Sequence, residues 1–259
     1  MKKTYSDRRK SLFFLVLFAV CLSFFNAGCG LDVLDAVLDD PFDTNGANDN
    51  TPNKDSGFEN CHFAFSTAKL DNSNSFGHGY VYYKIYNKES KKTNEVNSIE
   101  TMTNDSTRKY NAATTLINTY SYKELQYSAV PGVDSVPLML DNVSQQVYIR
   151  LTNYLGSFVA QISIDDTTIG IPLRTNGKTF DFGRTGDYDE KPAKITGTGT
   201  EESMSDVKGF DTTGDGNGNS FYVVLYGVFS MPTESFEKVI YSPVHYLGEV
   251  KIDAASDNN

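Results

Sequence analysis

Oxygen-bearing side chains alternate through one short glycine-rich stretch of the sequence, residues 211–220. Gly216 lies at its centre, where a loop of this length must turn sharply. Calcium takes six to eight oxygen ligands at about 2.3–2.6 Å, and alternation in a tight loop directs such oxygens inward. The spacing therefore predicts a calcium site. Its candidate ligands are Asp211, Thr213, Asp215, Asn217 and Asn219.

This stretch resembles the Asp/Asn-rich calcium loops of the EF-hand, dockerin and thrombospondin type. It departs from the EF-hand pattern at Tyr222, which stands where that family has a bidentate glutamate. Only Asp211 and Asp215 supply carboxylates locally. Asn and Gly also adopt positive φ at little cost, so a hairpin loop without metal explains the same composition. The calcium loop and the plain hairpin loop both stay open.

A second stretch is rich in carboxylates and suggests a different chemistry. Glycoside hydrolysis uses two carboxyl groups at a set separation across the sugar. These residues are therefore candidates for acid–base work or for holding a metal. A solvated turn is the simpler explanation, because sequence gives no separation between the side chains. The residues are Asp181, Asp187, Asp189 and Glu190.

Cys61 and His62 are adjacent, but adjacent residues in a strand point to opposite faces, so we do not expect a catalytic dyad. The simpler prediction for Cys61 is a small, partly buried hydrophobic residue. Residues 66–69 match the SxxK pattern of penicillin-binding proteins, but the partner motifs of that family are missing. The sequence also has no GxSxG, HExxH, CxxC, Walker loop or GxGxxG motif.

The N-terminus has the three parts of a secretory signal, in the required order. Residues 1–10 carry five Lys or Arg and one Asp, and residues 11–25 carry no charge. Small residues, Ala27 and Gly28, follow just before Cys29. The apolar run is shorter than the roughly 20 residues that a spanning helix needs. We therefore predict that residues 1–28 are a cleaved signal peptide.

Ala27-Gly28-Cys29 resembles the lipobox of bacterial lipoproteins, in a relaxed form similar to that of spirochaetes. Asn26 departs from the family pattern, which usually has an aliphatic residue there. The resemblance implies that Cys29 is acylated with diacylglycerol and palmitate and becomes the new N-terminus. It also implies that the protein is held in the bacterial cell envelope. Gly30, rather than Asp, is compatible with sorting to the outer membrane or cell surface.

The charge of the chain limits how it meets a membrane. The whole chain has a formal charge of −10, and the part after residue 28 has 18 basic and 32 acidic residues, which gives −14. Anionic lipid and nucleic acid would repel such a chain, so we expect no nucleic-acid partner. The acyl chains must then supply the anchoring. A mean hydropathy of −0.39 also excludes a polytopic membrane protein.

After Cys29, the composition predicts a flexible acidic tether over 29–57, a β-rich domain over 58–253 and a disordered tail over 254–259. The domain contains short alternating or fully apolar runs separated by turn residues, which favours an antiparallel β-sandwich or barrel with one or two short helices. Candidate helices lie within 106–125, where a strand is equally compatible, and between Pro232 and Ile240. The predicted strands cover residues 79–86, 147–151, 157–164, 220–229 and 244–252.

These features favour a membrane-anchored, non-enzymatic binding or structural module with an unknown protein or carbohydrate ligand. Fifteen Tyr remain after residue 28, and exposed Tyr suits both kinds of ligand, although Tyr is also a favoured strand residue. The alternative is a lipid-anchored hydrolase, such as a carbohydrate-active enzyme, using the acidic loops. A pair of carboxylates in a cleft would favour the enzyme. An exposed Tyr-rich face without a cleft would favour binding.

Overall fold

The apolar run at residues 220–229 lies in the central strand of a large sheet. The fold is known from a computed structural model. All the described residues belong to one compact unit. The described residues are 40–44, 49–50, 61–70, 77–130, 134–154, 158–182, 207–208, 220–232 and 239–253, with side chains left out at 49–50, 207–208, 220 and 253.

The described strands form two mainly antiparallel sheets. Short strands separated by turns are what the alternating sequence pattern predicts, and the mainly β fold with antiparallel sheets is confirmed. The strands are β1 (Phe42–Asp43), β2 (Asp49–Asn50), β3 (Phe63–Thr67), β4 (His78–Tyr86), β5 (Lys123–Glu124), β6 (Gln126–Ser128), β7 (Val136–Pro137), β8 (Met139–Asp141), β9 (Gln145–Arg150), β10 (Gln161–Ile164), β11 (Thr167–Leu173), β12 (Val207–Lys208), β13 (Ser220–Pro232), β14 (Val239–Tyr241) and β15 (His245–Asp253).

The larger sheet, which we call sheet II, is centred on β4 and β13. Its main path runs in the order β12-β4-β13-β15-β2, with β5 and β8 also on β4 and β14 also on β13. Of its pairs, only β12 with β4 and β15 with β2 are parallel among the described strands. The other sheet, sheet I, has the order β1-β3-β9-β10-β11-β6-β7.

Two segments pass from one sheet to the other and close one side of the sandwich. Residues 123–128 begin as β5 on β4 and continue as β6 on β11, and residues 136–141 make the reverse change. The crossings occur at Leu125 and Leu138, whose backbones are joined by a 2.7 Å hydrogen bond. Both side chains are buried between the sheets, so the crossing points belong to the core.

The main core fills the space between the two sheets. Alternate residues of β4, such as Val81 and Ile85, point into it, because successive side chains of a strand lie on opposite faces. The aromatic residues of this core include Phe180, Phe182 and Phe221, and the last two rings stack with centroids 4.1 Å apart. Burial of this interior is the main stabilising term of the fold.

A helical layer covers part of the other face of sheet II. Helix α1 spans Glu89–Thr103, and a short helical segment follows it over residues 109–119. Together they bury Ile99, Ala113 and Leu116 against the outward side chains of β4 and β13. The central strand is therefore buried on both faces, which explains why its sequence is apolar without alternation.

Several sequence predictions can be compared with these elements. The five predicted strands correspond to β4, β9, β10, β13 and β15. The turn between β10 and β11 lies at Asp165 and Asp166, which both have positive φ. The segment 106–125 is helical over 109–119 and then enters β5. Helix α1 is absent from the sequence predictions.

The ends of the predicted domain also differ. Strands β1 and β2 lie within the segment 29–57 that composition predicts as a tether, so ordered structure starts earlier than residue 58. The predicted helix between Pro232 and Ile240 is not supported at its ends, because Pro232 closes β13 and Ile240 lies in β14. Pro232 pairs with Val239 there, and pairing in a sheet overrides the local helix-start signal. The tail 254–259 lies outside the described residues.

Candidate functional site

The outer face of sheet II, on the side of α1, carries a dense group of tyrosines. The run from Tyr80 to Tyr86 alternates so that the even-numbered side chains point to this face. Directly paired residues of neighbouring strands share a face, and Tyr226 pairs with Tyr82 while Tyr222 pairs with Tyr86. Strand alternation and register thus concentrate hydroxyl groups on one surface. The helical layer divides that surface into a covered half and an open half.

In the covered half, the tyrosines surround a buried ion pair. Lys84 is 5% exposed and its ammonium group contacts the carboxylate of Glu95 on α1. The same ammonium donates to the backbone carbonyl of Tyr120 at 2.6 Å. The hydroxyl of Tyr86 donates to Glu95 at 3.0 Å and lies 2.9 Å from the hydroxyl of Tyr122. The pair is therefore hydrogen-bonded from several sides, as a buried charge requires.

Burial and nearby negative charge keep these phenols protonated. Burial, followed by Tyr122 and then Glu95, raises the pKa of Tyr86 far above its ordinary value. Burial is also the main cause that raises the pKa of Tyr122 and of Tyr226. The hydroxyls therefore serve as hydrogen-bond donors at any physiological pH and not as bases. The rings of Tyr86 and Tyr122 lie 5.1 and 5.5 Å from the Lys84 ammonium, within cation–π range.

A second set of polar contacts holds α1 to β15. Lys92 of α1 is buried, contacts the carboxylate of Glu249 and lies 5.0 Å from the ring centre of Tyr222. The hydroxyl of Tyr246 donates to the same carboxylate at 3.2 Å. Helix α1 is thus attached to the sheet by two lysine–carboxylate pairs, one to β4 and one to β15. These contacts give the covered half a structural role.

Glu100 is a partly buried carboxyl group of the covered half. Burial raises its pKa, while a contact with the Tyr226 hydroxyl and the charge of His245 lower it in part. Tyr226 and Glu100 affect each other's pKa. The Tyr226 hydroxyl and Glu100 Oε1 nevertheless make no regular hydrogen bond with any described residue. The negative field of Glu100 extends to His245, which lies at the edge of the sheet.

His245 joins the sheet to the first described residues of the chain. Its Nδ1 lies 2.6 Å from Asp40 Oδ2, while the other oxygen of Asp40 accepts from the amide of Phe42 at 2.9 Å. Burial alone would lower the pKa of His245, but the hydrogen bond and charge of Asp40 outweigh it. With smaller contributions from Asp43 and Glu100, the pKa is raised overall. We call this group, Asp40, Phe42 and His245, the N-terminal clasp.

We expect the N-terminal clasp to weaken as the pH rises. Below about pH 6.5, the ordinary histidine pKa, the imidazole is charged in folded and unfolded chains and the pair stabilises fully. Because the folded pKa is raised, stabilisation on the order of 1 kcal/mol is lost as the pH rises from there through the folded pKa. Thermal unfolding across this range should show a slope that His245→Gln removes. Equal slopes in both proteins would contradict the assignment.

The open half of the outer face lies beyond the helical layer. Four paired residues form a row across β8, β4, β13 and β14, in the order Asp141, His78, Ser230, Tyr241. In the next row Met139 pairs with Tyr80. All these side chains share one face, since directly paired residues do. None of them is fully buried: Met139 is 49% exposed and the Asp141 side chain 71%.

Two carboxylates border the open half. Glu124 accepts a hydrogen bond from the hydroxyl of Tyr82 at 3.3 Å, and Asp141 lies 3.7 Å from Nδ1 of His78. The hydroxyl of Tyr80 donates to the sulfur of Met139 at 3.5 Å, so the two side chains lie side by side on this face. We call this surface the open tyrosine face. It consists of His78, Tyr80, Glu124, Met139, Asp141 and Tyr241.

Comparison of the chain with protein-family models, curated proteins and solved structures gives no significant match. The site must therefore be interpreted from its own chemistry. Sheet strands fix the positions of its aromatic rings, and its carboxylates lie at the margin rather than facing each other. This arrangement suits recognition of a ligand by stacking and charge.

The residues that sequence reasoning selected lie mostly elsewhere. Cys29, the predicted lipidation site, and the calcium-loop residues 211–219 lie outside the described residues, so both stay predictions. Of the second acidic stretch, Asp181 lies in a described turn between the buried Phe180 and Phe182, and the other three carboxylates fall outside the description. Across the described ranges, no three His, Cys, Asp or Glu side chains are grouped to hold a metal.

Cys61 and His62 lie just before β3 and not in a strand, so strand alternation does not fix their directions. The thiol of Cys61 is buried beside Tyr154 and the partly buried Phe158. The ring of His62 stacks on Tyr148 with centroids 4.4 Å apart. Cys61 is 3% exposed, so it is buried more completely than the partly buried residue that the sequence predicts. In the part of the chain that is described, no helix has the length and hydropathy to cross a membrane.

Sequence reasoning did not identify the open tyrosine face. It noted the surplus of Tyr but assigned no residue of this face to a site. The available signal was the alternation Tyr80-x-Tyr82-x-Lys84-x-Tyr86, which puts four side chains with polar ends on one face of a strand. Met139 and Asp141 join that face only through pairing with a strand about 60 residues away in sequence.

Proposed function

We propose that this protein is a lipid-anchored, non-enzymatic binding module of the bacterial cell envelope. The lipid is attached at Cys29, the protein is held at the outer membrane or cell surface, and the ligand meets the open tyrosine face. The single observation that carries the binding role is the row of side chains that four strands of sheet II present beside the helical layer. A rigid sheet holds these groups in place before a ligand arrives, which lowers the cost of binding.

The N-terminal clasp supports the anchoring role. Asp40 and Phe42 are held in the domain by their contacts with His245 and with the main core. Between Cys29 and Asp40 there are eleven residue steps, which span at most about 40 Å when fully extended. A lipid at Cys29 would thus hold the domain within that distance of the membrane surface. Among the described contacts, the N-terminal clasp lies nearest to Cys29 along the chain.

Palmitate labelling in a bacterial host tests the anchor directly. We expect wild-type protein to incorporate labelled palmitate and to sediment with membranes, because two or more acyl chains bind a bilayer stably. Cys29→Ala should lose the label and appear in the soluble fraction. Cys61→Ala is the matched control, since it removes a thiol that is buried in the fold and should keep the label. Equal labelling of wild type and Cys29→Ala would overturn the proposal.

A further inference from the structure

The carboxylates of the open tyrosine face share it with aromatic rings. Glu124 lies opposite Tyr82 in the pairing of β5 with β4, and the two side chains are hydrogen-bonded on the outer face. Lys123 pairs with Tyr83, whose side chain points into the core, so the lysine lies on the opposite side of β5. The basic residue nearest in sequence to Glu124 therefore does not neutralise it across the face.

The charge of Glu124 acts on Tyr80 of this face and on Tyr82 in the covered half. Burial raises the pKa of Tyr80, and the next causes are the charge of Glu124 and the neighbouring Tyr241, which raise it further. The pKa of Tyr82 is raised by burial and then by the same two groups. His78 is the one group of the face that becomes positive when protonated, and it lies beside Asp141. With two carboxylates, Glu124 and Asp141, and one histidine, the face has a negative potential.

Aromatic rings next to carboxylates form a surface that attracts cations. A Lys or Arg side chain gains cation–π attraction from a Tyr face and Coulomb attraction from the carboxylates at its margin. The thioether of Met139 adds an adaptable apolar contact for the methylene groups of such a side chain. The formal charge of the whole chain, −10, increases the rate at which a cationic partner arrives.

We propose that the open tyrosine face binds a protein segment bearing Lys or Arg side chains. This inference rests on the proposed binding function and names the partner for that surface. A neutral glycan would stack on the same rings but would gain nothing from the negative potential, so the charge distribution favours the cationic segment. The row crosses four strands and none of its side chains is fully buried, which suits an extended segment lying across the sheet.

The experiment measures binding of a fluorescent decalysine peptide to the full-length lipoprotein in detergent micelles, at low and at high salt. We expect measurable binding at low salt that weakens as salt screens the charges. Tyr80→Leu, which keeps an apolar side chain but removes the ring, should weaken binding about two- to fivefold. The double variant Glu124→Gln/Asp141→Asn should weaken it at least about threefold. Thermal unfolding of each variant checks that the fold is retained.

Asp166→Asn is the matched charge control. Asp166 is exposed in the β10–β11 turn of sheet I, and Asn tolerates the positive φ found there. We expect this variant to bind decalysine as wild type does. Equal weakening by Asp166→Asn and by the Glu124/Asp141 variant would show attraction to overall charge and would overturn the inference. Unchanged affinity in the Tyr80 and Glu124/Asp141 variants would also overturn it.

A neutral probe separates failure of this inference from failure of the proposed function. If chitohexaose binds in a manner that depends on Tyr80 while decalysine does not, the face is a glycan site and the cationic partner is excluded, but the binding module stands. If the substitutions on the face change the binding of neither probe, the inference fails, and the open tyrosine face is not the binding surface of the proposed function. Palmitate labelling of Cys29 tests the anchor independently of both results.

Discussion

Replacing Lys84 with methionine is expected to lower the free energy of unfolding by about 3 kcal/mol. The substitution leaves the Glu95 carboxylate under the helical layer without its counter-ion, and removes the hydrogen bond to the carbonyl of Tyr120. Breaking a buried pair typically costs about 3–5 kcal/mol. The lower end applies here because the Glu95 side chain keeps 20% exposure. Urea denaturation followed by circular dichroism measures the change.

Two further variants show whether the lost stability comes from the unpaired charge. In Lys84→Met/Glu95→Leu neither charge remains and Tyr86 keeps its contact with Tyr122, so most of the stability should return. Lys91→Met removes an exposed lysine of α1, the helix that carries Glu95, and should change the free energy of unfolding by less than about 0.5 kcal/mol. A loss below about 1 kcal/mol in Lys84→Met, or no recovery in the double variant, would show that the pair is not a stabilising unit.

The strands of the fold could be predicted because their signals are local. Strand β13 is mostly apolar between Phe221 and Phe229 because both faces of sheet II are covered there. Its partner β4 alternates between core residues and outward side chains that are mostly tyrosines. The positive φ values of Asp165 and Asp166 match a turn that the sequence marks with two Asp residues. Such features depend on neighbours within a few residues, and sequence shows those directly.

The local sequence signal for helix α1 is weak. Val96, Ile99 and Met102 recur at a spacing of three residues, but the rest of the helix is polar and its N-cap residue, Lys88, makes no side-chain cap. What holds the helix is tertiary: Lys92 reaches Glu249, and Glu95 contacts Lys84. Pairs between distant elements override weak local propensity, and a single sequence does not reveal them.

The candidate site was predictable only as a surplus of tyrosine. The alternation in β4 indicates that Tyr80, Tyr82 and Tyr86 share a face. It does not indicate that α1 covers Tyr82 and Tyr86 while Tyr80 stays at an open surface beside Met139. That division depends on where the helical layer ends over the sheet, which is a property of packing.

Strand β1 was missed for a similar reason, since Phe42 is one apolar residue in an Asp- and Asn-rich stretch. Two glycines far along the chain, Gly79 and Gly227, leave the space in the core that the Phe42 ring occupies. A Cβ at Gly227 would come within 2.7–2.8 Å of the Phe42 ring, and one at Gly79 within 3.2 Å. The absence of side chains there lets the ring lie against the backbones of β13 and β4. We call this space above Gly79 and Gly227 the glycine cradle, and composition alone does not show it.

Phe42→Ala is therefore expected to destabilise the domain by about 3 kcal/mol and to release the N-terminal clasp. The ring is 5% exposed and lies 5.9 Å from the ring of Phe65, so its removal leaves a cavity at the edge of the sandwich. The pairing of β1 with β3 then loses its main apolar contact. Urea denaturation measures the stability. Limited proteolysis, compared with wild type, reports release of the segment around residue 42.

A double-mutant cycle of Phe42→Ala with Gly227→Ala tests whether the Phe42 ring occupies the glycine cradle. In the wild-type background the added methyl group meets the Phe42 ring at 2.7 Å, so Gly227→Ala should destabilise the domain by about 1–3 kcal/mol. In the Phe42→Ala background the ring is gone and the methyl group has room, so the second substitution should cost much less. Coupling of at least about 1 kcal/mol between the two sites is the expected result. Additive losses would mean that Phe42 does not occupy the space above Gly227, and that the clasp is held by Asp40 and His245 alone.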